Sequence, residues 1–141
     1  MKYTPYLVPV SVKGIVLEDA TVWLRSNERN EWELPGGKID LGEQPTDTVI
    51  REMNEELGFT VTVRSLVDAH MYTIRKSIDE SYGVLVLSYL CKVNSRSGKL
   101  ESVGEAGAAE FRAFPLSEIK GLNMPEFYEL AIIKAAKLNL E

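Results

Sequence analysis

With 141 residues, 45% hydrophobic and 26% charged, the chain is long enough to bury a core, and a single domain over residues 1–141 is expected. A net charge of −5 argues against general affinity for nucleic acid or an anionic membrane, while a small anionic ligand stays open because a metal ion can reverse the local field. Cys91 is the only cysteine, so no intrachain disulfide forms; MKYTPYLVPV lacks a signal peptide's long apolar segment and no stretch approaches a membrane span, so a cytoplasmic protein is the expectation.

The segments VPVSVKGIVLED (8–19) and ATVWLRSN (20–27) are rich in β-branched residues and predict strands broken at Glu18 and Asp19. EWELPGGKIDLGEQP (31–45) carries Pro35, Gly36, Gly37, Gly42 and Pro45 and reads as mostly loop. Residues 46–57 predict a helix: Pro45 suits a first helical position, Asp47 adds negative charge to the first turn, and Gly58 suits the C-terminal stop. Strands resume at FTVTVRSLVDAHMYTI (59–74) and SYGVLVLSYLCKV (81–93), the latter holding Cys91 as a core thiol. SRSG (95–98) predicts a turn, AEFRAFPL (109–116) a short strand and SEIK (117–120) one helical turn. A closing helix over 125–140 would bury Phe127, Leu130, Ala131, Ile133 and Leu138, which roughly follow a 3.6-residue period. The order of strands, helix, strands and helix implies an α/β (α+β) fold, a mixed sheet with helices packed against it.

The helix over 46–57 raises a question. At about 100° per residue, Val49, Ile50, Met53 and Leu57 share one arc, the expected core stripe. Glu52, Glu55 and Glu56 share another, with Arg51 beside them. Like charges at this spacing repel by a few tenths of a kcal/mol per pair. A solvated face would explain them in isolation. The preceding loop adds Glu43 and a Gly36–Gly37 backbone able to approach closely. Four acids converging with backbone carbonyls make an oxygen-rich site suited to Mg²⁺ or Mn²⁺.

The stretch GKIDLGEQPTDTVIREMNEELGF (37–59) resembles the Nudix box. Gly37, Glu43, Arg51, Glu52, Met53, Glu55, Glu56, Gly58 and Phe59 fall on that family's pattern, and every position matches. The resemblance implies a Nudix-type α/β/α sandwich. It also implies metal-dependent cleavage of a phosphoanhydride bond in a nucleoside diphosphate linked to another group. Glu52, Glu55 and Glu56 would be metal ligands, Glu52 and Glu56 most directly, joined by the Gly37 carbonyl. Arg51 would pair with Glu43 or a helix glutamate and fix its geometry, although a plain surface ion pair is the alternative. The general base lies in the box in some members and on a later loop in others. Glu105 is the expected loop acid, also reaching the metal, ahead of Glu110. Nudix domains commonly dimerise, so a homodimer is among the expected assemblies.

Other residues carry less specific signals. Lys38 follows the glycines and could meet a phosphate or stay solvated. His70, the only histidine, is expected to be packed or partly exposed rather than catalytic. Trp23 and Trp32 could stack on a base, Trp23 more naturally facing the core. No proline occurs between Pro45 and Pro115, which departs from ADP-ribose-type members, and tyrosines miss the position typical of diadenosine-polyphosphate members. Asn123 resembles a base-reading asparagine of triphosphate-hydrolysing members, and helix capping is its other reading. The expected substrate is a small nucleotide, most specifically a nucleoside triphosphate giving monophosphate and pyrophosphate. A nucleotide sugar or other diphosphate conjugate is the alternative, and a non-catalytic nucleotide-binding regulatory module the third reading.

Overall fold

The computed structural model describes residues 8–75, 77–79, 81–98 and 109–139. Alternating β-branched residues form β1 (Val10–Glu18), which turns at Asp19 and Ala20, both at positive φ, into β2 (Thr21–Ser26). The segment expected to be loop holds two short strands, β3 (Trp32–Glu33) and β4 (Gly36–Lys38). Helix α1 (Pro45–Leu57) follows. Asp47 accepts a hydrogen bond from the backbone N–H of Gln44 at 3.0 Å, and Gly58, at φ 70°, ends the helix in the left-handed region. The long strands β5 (Phe59–Arg75) and β6 (Ser81–Arg96) come next. The predicted turn therefore begins later than expected, because β6 runs on to pair with the start of β5. Then come β7 (Phe111–Pro115), a 3₁₀ turn (Leu116–Gly121) and α2 (Glu126–Asn139).

The sheet runs in the order β3-β2-β1-β6-β5, with β4 on β1 and β7 on β2. It is mixed: β1 and β6 are parallel, with Lys13 opposite Ser88, and the other pairs are antiparallel. Successive side chains of β1 point to opposite faces. Val12 and Val16 meet α1 through Val49, Met53 and Leu57, all at most 1% exposed. Ile15 faces the other way and joins Val84, Val86 and Leu90 under α2. The sheet is thus flanked by helices, as the sequence implied. Each fully buried aliphatic side chain contributes roughly 1.5–3 kcal/mol of transfer free energy. Among the described residues no helix is long and apolar enough to cross a membrane.

Two expected core stripes are corrected. On α1, Ile50 is 41% exposed, and Glu56 is buried with Val49 and Met53 instead. On α2 the buried residues are Tyr128, Ala131, Ile132 and Ala135, at the i, i+3, i+4, i+7 spacing of one face. Leu130, Ile133 and Leu138 are exposed, and Phe127 is only partly buried. The buried face alternates large Tyr128 and Ile132 with small Ala131 and Ala135, which interleave with the sheet's own side chains. Cys91 is buried as expected, and burial pushes its thiol up to about 12.

Candidate active site

The site begins with two glycines. Gly36 has φ 149°, and a Cβ there would lie 2.0 Å from the carbonyl oxygen of Val12, so no other residue fits. Its N–H donates to Glu56 Oε2 at 3.2 Å. A Cβ on Gly37 would fall 2.5 Å from Glu52 Oε1, so backbone here touches carboxylate directly. Glu56 is 8% exposed, and Arg25 Nη1 of β2 reaches its Oε1 at 3.4 Å. Burial pushes the Glu56 carboxyl up to about 8; Arg25 and Lys13 pull the other way, and the negative charge of Glu52 adds to the rise.

Arg51 organises the other acids. Its Nε donates to Glu43 Oε2 at 2.8 Å and its Nη2 to Glu43 Oε1 at 3.1 Å, a bidentate pair. Its Nη1 donates to Glu52 Oε1 at 2.9 Å and Glu55 Oε2 at 3.1 Å. Glu43 also accepts from the Asp40 N–H at 2.9 Å and the Thr48 hydroxyl at 2.9 Å. The Arg51 bond, first among these, holds the Glu43 carboxyl down at about 2, and the Arg51 guanidinium is raised in turn. The four acids therefore form two overlapping groups that share Glu52. Glu43, Glu52 and Glu55 gather around Arg51, Glu55 with half its side chain exposed, and Glu52 also meets Glu56 at the glycine backbone.

The remaining predicted residues scatter. Lys38 follows Gly37, lines a cleft, and its carbonyl accepts from Arg51 Nη2 at 3.3 Å. Glu105 lies outside the described residues. Glu110 pairs with Arg112 on β7. Gly58 ends α1, and its carbonyl accepts from the Ser97 N–H at 2.8 Å. Asn123 lies ahead of α2, which starts at Glu126, and does not cap it. Its side-chain N–H donates to the Asn30 carbonyl at 2.7 Å, and its own carbonyl accepts from Trp32 N–H at 2.8 Å, tying the α2 approach to the β2–β3 turn. Trp32 packs edge-on against Phe114 and Trp23 against Phe59. His70 stacks on Phe127 with ring centroids 4.2 Å apart.

Sequence reasoning missed the strand residues behind the glycines. Lys13 on β1 is 5% exposed and Glu33 on β3 is 9% exposed. Both line a cleft of about 280 Å³ with Lys38, Tyr72, Tyr82 and Val86. Burial lowers the Lys13 ammonium from its ordinary value, against the opposing pull of Glu33. A Cβ on Gly36 would meet Lys13 Cα at 2.8 Å, so the cleft and the Glu52–Glu56 pair stand on either side of the glycine turn. The available signal was a lysine within the apolar pattern of VSVKGIV. A larger depression of about 540 Å³ between β5 and α2, around His70 and Phe127, contains none of the α1 carboxylates.

Among the described residues no three His, Cys, Asp or Glu side chains come together as a metal site. The donor set that is present still fits Mg²⁺ or Mn²⁺, which is commonly held by one or two carboxylates and keeps water or phosphate oxygens as its other ligands. Two carboxylates press together, one of them buried, and bare backbone lies against the other. Burial is the main cause of the raised Glu56 carboxyl, and a cation between the pair would offset the Glu52 charge that adds to it.

Comparison with known proteins gives the family and the fold. A family model described as NUDIX domain matches residues 8–132. A "MutT-like protein" from Streptomyces ambofaciens is 33% identical over 134 residues, covering 94% of this chain and 79% of the relative. An "ADP-ribose pyrophosphatase" from Methanocaldococcus jannaschii is 32% identical over 115 residues, covering 78% of this chain and 65% of the relative. The solved structure of a NUDIX hydrolase from Nitrosomonas europaea superposes with a TM-score of 0.75 at 17% identity, covering 93% of this chain and 90% of the other.

Proposed function

Because the chain belongs to the Nudix family of hydrolases, which act on nucleoside diphosphate-linked substrates, we propose that it is a pyrophosphohydrolase that cleaves a nucleoside triphosphate to the monophosphate and pyrophosphate. The observation that carries the reading is the Glu52–Glu56 pair set against the Gly36–Gly37 backbone. A Mg²⁺ or Mn²⁺ held by Glu52, Glu56 and the Gly37 carbonyl would supply neutralising charge and Lewis acidity at the diphosphate. Arg51, itself fixed by Glu43, orients Glu52 towards that point and leaves it one oxygen free of the guanidinium. Lys38 meets a phosphate at the mouth of the cleft. Glu105 keeps the role of proton acceptor for the attacking water, which closes on phosphorus in line with the leaving group.

The cleft supports a substrate with one nucleoside. At about 280 Å³ it is at the small end of ligand pockets, with room for one base and its sugar. The Methanocaldococcus relative's name favours a second reading, cleavage of a nucleoside diphosphate conjugate. A panel of triphosphates, nucleotide sugars and ADP-ribose, assayed with Mg²⁺ and read by chromatography, separates them. Monophosphate and pyrophosphate from a triphosphate are expected. Turnover of conjugates alone would reject the triphosphate reading.

A further inference from the structure

Arg25 stands between two carboxylates and is bound closely to neither. On β2 it lies directly opposite Glu33 of β3 and Phe111 of β7 in the sheet register, and its guanidinium carbon sits 5.9 Å from the centre of the Phe111 ring. Nη1 donates to Glu56 Oε1 at 3.4 Å, a long bond. Nε is 3.8 Å from Glu33 Oε1, beyond hydrogen-bond range, and is buried with no hydrogen-bond partner among the described residues. A buried N–H left unpaired costs free energy, so this one calls for a physical reason.

The reason lies at Glu56. Its Oε2 accepts from the Gly36 N–H at 3.2 Å and its Oε1 faces Arg25, so both oxygens are engaged. A divalent cation that takes Glu56 as a ligand competes with the guanidinium for Oε1, and its two charges repel the arginine's one. The guanidinium cannot answer by losing its proton. Kept beside the cation without a new partner, it would be an uncompensated charge. Glu33 Oε1 has room for it. The cations nearest that oxygen, Arg25 Nε at 3.8 Å and Lys13 Nζ at 3.9 Å, both stand off, while Asn27 and Arg29 approach Oε2 at 3.4 Å and 3.9 Å. A shift of about 1 Å brings Nε to ordinary hydrogen-bond length. We propose that Arg25 is a positioning residue with two partners, passing from Glu56 to Glu33 when Mg²⁺ or Mn²⁺ binds Glu56. Glu33 then sets metal affinity without touching the metal, because it receives the charge that the metal displaces.

The inference rests on the metal-dependent reading above, and its test reads the arginine rather than turnover. Arginine Nε–H groups give their own nuclear magnetic resonance signals, and a hydrogen bond to a carboxylate moves the proton downfield. The Arg25 signal, assigned by its loss in Arg25→Lys, should move downfield as Mg²⁺ is titrated, in step with the backbone amides of Gly37 and Glu52. In Glu33→Gln that movement should be lost, and Mn²⁺ affinity, read by electron paramagnetic resonance, should fall about 10-fold. In an Arg25→Met background the same Glu33 change should alter Mn²⁺ affinity by under about 2-fold, because the arginine through which it acts is gone. Amides that respond to Mg²⁺ while the Arg25 signal stays put overturn the inference and leave the metal site standing. Equal effects of Glu33→Gln in both backgrounds also overturn it, since they report charge acting at a distance. If no amide responds to Mg²⁺, the metal site and the inference fall together. Should Glu33→Gln fail to fold, the Arg25 signal in the unmodified protein decides by itself.

Discussion

Arg51 and Glu43 form a bidentate ion pair, Nε to Oε2 at 2.8 Å and Nη2 to Oε1 at 3.1 Å, across the turn that leads into α1. This pair fixes the guanidinium whose Nη1 reaches Glu52. Glu43 therefore acts on the candidate metal site through Arg51.

The pair gives an acid-labile contribution to stability. The Glu43 carboxyl is held at about 2 in the fold, below its ordinary 4.5. A depressed carboxylate contributes stability that is fully present above 4.5 and is lost as pH falls through 2. Glu43→Gln should lower the melting temperature at neutral pH. The gap from the unmodified protein should close between pH 4.5 and 2. A gap independent of pH would reject the ion pair as its source.

Glu56 runs in the opposite direction. Its carboxyl is raised to about 8, so between 4.5 and 8 the folded chain holds a proton that the unfolded chain has released, and stability falls as pH rises through that window. Glu56→Gln should flatten the fall. Glu52→Gln should ease the same repulsion. Both should reduce turnover on the order of 10²–10³-fold. Near-normal turnover in both variants would sink their assignment as ligands.

Metal removal gives a third outcome. Hydrolysis should require millimolar Mg²⁺ or Mn²⁺ and vanish with chelator. Because a cation bound by the fold alone stabilises it by mass action, Mg²⁺ should also raise the melting temperature, and the rise should be lost in Glu52→Gln. Full activity in chelator would overturn the mechanism.

Asn123 offers a separable test. With its amide committed to the Asn30 carbonyl at 2.7 Å, Asn123→Ala should cost about 1 kcal/mol of stability and leave kcat/KM ratios between bases unchanged. Altered base ratios with an unchanged melting temperature would return the residue to the base-reading role.

How far the sequence spoke depended on where each partner lay. α1 was legible because its start, its stop and its acids sit in one short stretch. Ile50 misled because a helical period counts apolar residues and cannot see Arg25 or the Gly36 N–H, which together make a buried Glu56 tolerable. α2 misled for another reason. Its exposed Leu130 and Ile133 are as apolar as its buried Ile132, and only the distance to the sheet selects the face with Ala131 and Ala135. Lys13 was passed over because charge alone places lysine at the surface, while its register beside Ser88 on the central strands buries it. The strands β3 and β4 are too short to leave a pattern among prolines and glycines.

The parallel pairing of β1 with β6 has a kinetic consequence. Val10 meets Leu85, and every residue of α1 and β5 lies in the chain between them. The β5–β6 hairpin closes locally, but β1 gains that neighbour only after a long loop has been closed, the slow kind of contact in folding. Lys13 is carried by β1, and the Gly36–Lys38 strand is hydrogen-bonded to it. A nascent chain released from the ribosome only as far as β5 would hold all the acids of α1 and still have no cleft. Competence should arrive as one late step, and slowing β1–β6 closure should delay activity and compactness together.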